Sequence, residues 1–252
     1  MNTQITLNQM RSVALVLVRG LAMVAFVAVV TGCATRPGGS PRDPWEGYNR
    51  SMTQINEKID AAVLKPAATV YTKVTPALVR TGVSNFFSNL TEPWSAMNAV
   101  LQLKGLAAIE TFMRFSINTF FGLGGLLDIA SDIGIEQHYQ DFGQTLARWG
   151  VPSGPYFVMP IYGSSTVRDA AAFGLELQAD PVNNLTNVTV KDTLVILRGL
   201  ELRSSLLRAG NVLEEAALDK YTFTRDVFLQ RRDNLVFDGK EPPVDTEKPP
   251  EK

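Results

Sequence analysis

The chain's single cysteine, Cys33, is the residue whose position predicts chemistry most directly. Small residues and an apolar run over 21–30 come directly before it, and Arg11 and Arg19 precede that run. This order is typical of a bacterial export signal, and ten apolar residues are too few to span a bilayer, which takes about 20. Because the preceding residues resemble the cleavage site of lipoprotein precursors, we predict a diacylglyceryl group and an N-acyl chain on Cys33. The alternative is a thiol buried in the core.

The residue after Cys33 indicates where the lipid anchor is delivered. Bacterial lipoproteins that stay at the inner membrane usually carry aspartate there, whereas this chain has Ala34. By analogy, we expect a lipid-anchored protein at the periplasmic face of the outer membrane of a Gram-negative bacterium. A lone cysteine in an exported chain cannot form an internal disulfide, which favours lipidation over a structural role.

Residues able to do catalysis are scarce. The chain has one histidine, His138, in a polar stretch typical of a loop, and Ser164 or Ser165 would have to serve as its nucleophile. The segment 163–167 ends in valine and lacks the last glycine of a G-x-S-x-G elbow, and neither a Walker loop nor a dinucleotide fingerprint occurs. One histidine is also a poor basis for a zinc site. We predict no enzyme, no metal site and no cofactor other than the lipid on Cys33.

The charge of the chain argues against nucleic acid as a partner. Removing the signal with its two arginines from the 24 basic residues leaves 22 against 25 acidic ones, a net charge of −3. Nucleic-acid binding depends on clustered lysine and arginine that neutralise phosphates, and this balance gives no such excess. The length that remains suits one domain.

Composition divides the chain into four segments. Residues 1–32 form the predicted signal peptide, and 33–44, which are rich in proline and glycine, form a lipidated tether. The body covers 45–238. Residues 239–252 contain four prolines and seven charged side chains, so we predict a disordered tail there.

Helical periodicity dominates the body. Apolar residues recur three or four positions apart over 106–120, on one face of an amphipathic helix: Leu106, Ile109, Met113, Ile117 and Phe120. Similar spacing predicts helices over 190–206 and 211–232. Residues 156–159 favour a strand, but prolines at both ends exclude a central position in a sheet. The predicted fold class is therefore all-α.

A short glycine-rich segment interrupts this pattern over 120–127. It is the closest candidate for a membrane segment after the signal, yet it falls far short of the 18 or more apolar residues that a spanning helix needs. Two interpretations are open. Gly122, Gly124 and Gly125 could supply positive φ or close packing in a buried turn between helices. The segment could instead be a hairpin at membrane depth, with its backbone bonded by protein or cavity water.

Several blocks of the body carry a family resemblance. They are DPWEGYNR at 43–50, LKP at 64–66, GVSNFFSNLTEP at 82–93, GLGGLLD at 122–128, DFGQTLARWG at 141–150 and GPYFVMPIYG at 154–163. These blocks resemble the VacJ/MlaA family of lipoproteins, and they cover most of residues 43–181. After residue 181 only the helical character is similar.

The resemblance implies an outer-membrane phospholipid-transport protein that is not an enzyme. Its body would be a single ring-like bundle of amphipathic helices embedded in one membrane leaflet, with a central amphipathic channel. Phospholipids that have strayed into the outer leaflet would pass through it to a periplasmic lipid carrier of the Mla pathway, which maintains lipid asymmetry. A trimeric outer-membrane porin is the other implied partner.

Within this resemblance, the glycine segment becomes a candidate part of the channel or of a mobile loop beside it. The residues concerned are Phe120, Phe121, Gly122, Gly124, Gly125 and Asp128, with the glycines as hinges and the aspartate at the polar boundary. Residues 156–162 are a second candidate, as an apolar loop that contacts lipid or porin; alternatively, Phe157 and Ile161 pack in the core. A different function also stays open, a structural adaptor that binds a porin or envelope partner without carrying lipid.

Overall fold

The structure, a computed structural model, describes residues 40–207 and 219–239. The described part is mainly helical, as predicted, and contains one pair of short strands. None of its helices is both long and apolar enough to cross a membrane. The predicted signal peptide, Cys33 and all but the first residue of the predicted tail lie outside the described residues.

The elements follow one another along the chain with short connections. They are α1 (Glu46–Ile59), a π-helical turn (Asp60–Leu64), α2 (Lys65–Val74), α3 (Ala77–Leu101), α4 (Gly105–Phe120), α5 (Ile129–Asp132), α6 (Phe142–Arg148), β1 (Tyr156–Met159), β2 (Gly163–Thr166), α7 (Val167–Ala179), α8 (Val188–Ser205) and α9 (Lys220–Val236). The helices predicted over 106–120 and 190–206 are α4 and α8. The second half of the helix predicted over 211–232 is α9, and 211–218 lie outside the described residues.

Helices α5 to α9 each begin at a capping side chain. The oxygen of that side chain accepts a hydrogen bond from a backbone N–H two or three residues further on, which would otherwise have no partner in the helix. The capping residues are Asp128, Asp141, Thr166, Asn187 and Asp219. Local sequence therefore accounts for where these helices start.

The folded body begins earlier than the predicted boundary at residue 45. Asp43, assigned to the tether because of the prolines around it, is 2% exposed. Its carboxylate accepts hydrogen bonds from Asn49 (2.8 Å), Tyr221 (2.5 Å) and Arg225 (3.1 Å). These donors compensate the carboxylate for its loss of water, so burial is tolerated. The last residues of the predicted tether are thus part of the fold.

Two antiparallel strands, β1 and β2, are the exception to the all-α prediction. Tyr156 faces Thr166 at one end of the pair, and Met159 faces Gly163 at the other. A sheet of two strands has edge positions only, so the prolines that flank β1 remove no bond from a central ladder. The strand propensity of residues 156–159 is therefore realised in the one type of sheet that the prolines permit.

Helix α1 completes the outer edge of β1 with two asparagine side chains. Asn49 donates to the Tyr156 carbonyl at 3.1 Å and accepts from the Val158 N–H at 2.9 Å. Asn56, two helical turns further on, makes the same pair of bonds with the end of the strand and the residue two beyond it, at 2.9 and 2.8 Å. A primary amide has both a donor and an acceptor, so each asparagine pairs with the strand as a neighbouring backbone would.

The elements pack mainly as neighbouring pairs. Helix α3 lies along α4 after a short turn, α2 packs on α8, and α6 packs on α7. The hairpin contacts α1, α7 and α9. A small apolar cluster is centred on Tyr156, Val158, Tyr221 and Leu229. Many of the other buried side chains are polar, which makes the interior unusual.

Candidate functional site

Helix α4 buries its polar side and exposes its apolar side. Thr111, Arg114 and Asn118 are buried, and Arg114 is only 1% exposed. The large apolar side chains on the other side are exposed, and we call this set the apolar face of α4: Leu106, Ile109, Phe112, Met113 and Phe120. The amphipathic pattern predicted for this helix is confirmed, and its apolar side faces away from the protein interior.

Other elements repeat this arrangement. Exposed large apolar side chains occur on α1, α2, α3 and α8, among them Ile55, Val70, Leu78, Val100 and Ile196. Soluble monomers seldom expose contiguous apolar patches of more than a few hundred Å², and larger patches mark surfaces that contact lipid or protein. The polar groups that such a surface would normally carry lie inside the protein instead.

A buried arginine holds together the polar interior behind α4. The Arg114 guanidinium donates two hydrogen bonds to Asp128 (2.9 and 3.0 Å) and one to Glu92 (3.3 Å). It also donates to the Ile135 carbonyl at 2.6 Å and to the Ser131 hydroxyl at 3.1 Å. We call these five residues the Arg114 network. It joins α3, α4, α5 and the segment after α5 around one cation.

The two carboxylates of the Arg114 network differ in their protonation chemistry. Burial raises the pKa of Glu92, and the nearby charge of Arg114 offsets only part of that effect. Burial also acts to raise the pKa of Asp128, but hydrogen bonds from Ser131, Asn118 and Arg114 outweigh it and hold the pKa below its ordinary value. Asp128 is thus the ionised partner of the guanidinium.

The glycine segment forms a tight turn between α4 and α5. A Cβ at Gly122 would collide with two backbone carbonyl oxygens, and one at Gly125 would lie 2.6 Å from the Asn89 Cβ. Gly124 and Gly125 have φ of +73° and +93°, a region that side chains rarely adopt. The turn therefore uses the glycines for close packing and positive φ, as the first alternative expected. It is not buried, however, because Phe121 and Leu123 are exposed, and a position at membrane depth stays a prediction.

The candidate channel residues lie together at this turn. Phe120 and Phe121 are exposed, and Asp128 lies at the end of the turn in the Arg114 network. The N–H groups of Gly124 and Gly125 donate to carbonyls in the last turn of α4 at 3.0 and 2.8 Å. These bonds hold the turn against the helix. A channel or hinge role for the six residues stays a prediction.

Alanine substitutions should separate the constraints on two of the glycines. Gly124→Ala is expected to lower the free energy of unfolding by about 1–2 kcal/mol, the cost of the left-handed region for a residue with a Cβ. Gly125→Ala should cost about 1–3 kcal/mol more, because its Cβ also overlaps Asn89. Denaturant unfolding of the two variants in detergent measures the difference, and equal effects would contradict the packing at Gly125.

The candidate catalytic residues have other partners in the structure. His138 Nε2 lies 2.5 Å from a Glu110 carboxylate oxygen. The Ser164 hydroxyl shares a 2.7 Å hydrogen bond with the Tyr156 hydroxyl, and the Ser165 hydroxyl donates to a backbone carbonyl at 3.2 Å. Within the described residues, no group of three or more His, Cys, Asp or Glu side chains could hold a metal ion.

Residues 156–162 were predicted either to contact lipid or porin or to pack Phe157 and Ile161 in the core, and in the hairpin these two side chains differ. Phe157 stacks on Tyr48 with 5.5 Å between ring centres and packs edge-on against Trp45. Ile161, at the tip, is 66% exposed. One of the two apolar side chains therefore packs within the protein, and the other is available at the surface. Contact of the tip with lipid or porin stays a prediction.

A cavity of about 230 Å³ is lined by α3, residues 139–141, the hairpin tip, α7, the segment after α7, and α8. Its wall combines aromatic side chains with charged ones. The aromatic residues are Trp94, Tyr139, Tyr162 and Phe173, and the charged residues are Asp141, Glu176, Asp180 and Arg198. A mostly apolar cavity with a few polar groups is the usual form of a small-molecule site, and here the groups suit an amphipathic ligand.

Asp141 anchors one wall of this cavity. Its buried carboxylate accepts from both Nη atoms of Arg232, one bond being 2.7 Å, and caps α6 through the Gln144 N–H at 2.8 Å. Burial alone would raise the pKa of Asp141, but Arg232 and Gln144 hold that pKa below its ordinary value. Asp141 therefore stands in the wall as part of a neutralised ion pair.

Arg114, Glu176 and Arg198 were not predicted as site residues from the sequence. Arg114 lies three and four positions from the buried Thr111 and Asn118, and that polar stripe was the available signal. Glu176 and Arg198 belong to separate helices, α7 and α8, and both line one cavity only in the folded chain. No spacing in the sequence links the two.

These features define a class of protein: a mainly helical protein in which many buried side chains are polar and many large apolar side chains are exposed. A family model described as MlaA lipoprotein matches residues 41–235. The chain belongs to the MlaA lipoprotein family, which confirms the resemblance found in the sequence.

Named relatives align over most of the chain. The intermembrane phospholipid transport system lipoprotein MlaA of Escherichia coli (strain K12) is 32% identical over 229 residues, which cover 86% of this chain and 88% of the relative. The protein of the same name from Haemophilus influenzae is 32% identical, with 87% and 90% covered. An uncharacterised protein of Rickettsia typhi is 42% identical over 127 residues, and that match spans about half of each chain, 50% of this one and 51% of the relative.

A solved structure shares the fold. It was described in work on the structural basis for maintenance of bacterial outer membrane lipid asymmetry. It is 34% identical, covers 77% of this chain and 98% of its own, and superposes with a TM-score of 0.68. The helical prediction is thus supported by a known relative as well as by the helices themselves.

Proposed function

We propose that this chain moves mislocalised phospholipids from the outer leaflet of the outer membrane to a periplasmic lipid carrier of the Mla pathway, and so maintains lipid asymmetry. The observation that carries the proposal is the reversed polarity of α4, with Arg114 buried and the apolar face exposed. Placing the apolar side of such a helix in lipid is favourable in free energy, because the apolar side chains leave water. The names of the Escherichia coli and Haemophilus influenzae relatives point to the same activity.

The finer architecture follows from the same reasoning. The body would be a ring-like bundle that lies in the inner leaflet of the outer membrane and surrounds an amphipathic channel. Short amphipathic helices suit this position, because their backbone hydrogen bonds are internal and their exposed apolar side chains face acyl chains. Lipid attached to Cys33 would deliver the chain to the periplasmic face of that membrane. A trimeric porin would hold the ring in place.

A phospholipid that leaves a membrane faces a high free-energy barrier, which a protein channel can lower. Drawing a phospholipid into water exposes about 30 methylenes at about 0.8 kcal/mol each, on the order of 20 kcal/mol in total. A passage with apolar groups for the tails and polar groups for the headgroup lowers that barrier without supplying net energy. The cavity wall, which combines Trp94 and Phe173 with Glu176 and Arg198, has the composition that such a passage needs.

Complementation tests the proposal. The full chain is expressed in a Gram-negative host that lacks its own MlaA relative, and outer-leaflet phospholipid is measured with a membrane-impermeant amine reagent. We expect the chain to lower the labelled fraction to the level of the parent strain. The variant His138→Ala should do the same, because the imidazole pairs with Glu110 and not with a serine hydroxyl.

Two other results would favour a different function. Loss of function in the His138→Ala variant, at a normal protein level, would favour a lipid-degrading enzyme. A chain that binds a porin but transfers no phospholipid to a purified carrier would favour the adaptor, which needs no passage for lipid.

A further inference from the structure

The charged groups of the cavity do not balance. Asp141 is neutralised by Arg232, as described above. Asp180 accepts two hydrogen bonds from Arg198, at 2.6 and 3.1 Å, and these neutralise it as well. Glu176 is the remaining carboxylate in the wall, and within the described residues it forms no ion pair. The wall therefore contains one carboxyl group that no cation pairs with among the described residues.

Glu176 is held in place by a single backbone contact. One of its oxygens accepts the Phe142 N–H at 3.0 Å. Burial, and next the negative charge of Asp141, raise the pKa of Glu176. Both effects disfavour the ionised carboxylate, and a cation beside it would relieve them. The cationic group of a ligand would therefore be stabilised beside Glu176.

Arg198, although paired with Asp180, has further hydrogen-bond donors in the same wall. A guanidinium has five N–H donors, of which Asp180 engages two. The Arg198 Nε is buried and has no acceptor within the described residues. The guanidinium also lies 5.3 Å from the centre of the Phe87 ring, which limits its movement. The side chain is 30% exposed, so the guanidinium can donate a hydrogen bond to an anionic oxygen as well as to Asp180.

The size of the cavity limits the ligand. Its volume is about 230 Å³. That is room for a headgroup and not for a whole phospholipid. The aromatic side chains Trp94 and Phe173 in the same wall suit the ethylene link of a headgroup or the first carbons of a lipid tail.

We propose that this cavity recognises a zwitterionic aminophospholipid headgroup, with its ammonium group on Glu176 and its phosphate on Arg198. The inference rests on the proposed function and names the lipid class. Phosphatidylethanolamine supplies both charges. Phosphatidylglycerol supplies only the phosphate, leaves Glu176 without a cation and adds no compensation, so it binds less well.

Bound lipid gives the test. The full chain is incubated in detergent with an equal mixture of phosphatidylethanolamine and phosphatidylglycerol, purified, and its bound lipids are quantified by mass spectrometry. Glu176→Gln should lower the ratio of bound phosphatidylethanolamine to bound phosphatidylglycerol about tenfold, equivalent to about 1.4 kcal/mol. The total amount of bound lipid should change little. The control Glu136→Gln removes the same charge from an exposed side chain and should leave the ratio unchanged.

Other outcomes are equally informative. An unchanged ratio in the Glu176→Gln protein would overturn the proposal and leave lipid transport intact. Absence of bound lipid in every variant would instead contradict the proposed function.

Thermal unfolding of the same variant distinguishes a ligand-binding carboxylate from a structural one. A carboxyl whose pKa is raised in the folded protein destabilises the fold once it is ionised, and glutamine removes that cost while keeping the oxygen that accepts the Phe142 N–H. We expect the Tm of the lipid-free Glu176→Gln protein to rise by roughly 2–4 °C. A lower Tm together with an unchanged lipid ratio would assign Glu176 to structure alone.

Discussion

Replacing Arg114 by methionine is expected to lower the free energy of unfolding by about 3–5 kcal/mol, the usual cost of removing one partner from a buried ion pair. Methionine matches the length of the aliphatic stem but leaves Asp128 and Glu92 without a cation. The Ile135 carbonyl and the Ser131 hydroxyl also lose their donor. A loss of this size is a large fraction of the stability of an ordinary domain, so the protein level in cells should fall as well.

Denaturant unfolding in detergent measures this effect, and two further variants control it. Arg148→Met removes the same charge from an exposed side chain at the end of α6 and should change stability by less than about 0.5 kcal/mol. Adding Asp128→Asn to Arg114→Met should recover part of the loss, because one uncompensated charge is removed. If the double variant is no more stable than the single one, the half-buried Asp128 carboxylate is not the source of the cost.

Lysines on the apolar face of α4 are expected to remove the membrane affinity of the folded body. The test uses a chain with Cys33→Ser and an ordinary cleavable signal, which we expect to stay bound to vesicles without acyl chains. Ile109→Lys with Phe112→Lys should then weaken vesicle binding about 100-fold or more, since a lysine costs up to about 3 kcal/mol in hydrocarbon and somewhat less near the boundary. Both side chains are exposed, so folding should be little affected.

Flotation with phospholipid vesicles gives the readout. The control places the same two charges on exposed polar positions of α9, Gln230→Lys with Asn234→Lys, and should float like the parent. A freely soluble parent chain, or equal flotation of both double variants, would count against a body embedded in the leaflet.

The sequence predicted the helices well where the signal is local. The spacing of apolar residues predicted α4, and capping residues such as Asp141 explain where later helices begin. The sequence was a poorer guide to which side of a helix faces inward. Periodicity defines a stripe but not its surroundings, and the usual assumption would place the apolar face of α4 in a core. Only the burial of Arg114 with its partners decides the orientation.

The candidate site shows the same limit. Gly122, Gly124 and Gly125 were identified because glycine has few uses other than positive φ and close approach. Glu176 and Arg198 were not, because the relevant property is the balance of charge around a cavity. That balance depends on which carboxylates find a partner, and the partner of Asp141 lies on α9. These partners are far apart in the sequence, and no local pattern predicts that they pair.

The asparagine pairs between α1 and β1 have a consequence for the order of folding. A lone two-stranded hairpin is only marginally stable in water, and its open edge can pair with other chains. Here the first stretch of the body must dock before that edge is closed, across more than a hundred residues of sequence. Such distant contacts form slowly, so the hairpin should be among the last parts to become protected from hydrogen exchange. The edge of β1 therefore closes only after the chain has been made at least as far as Ile161.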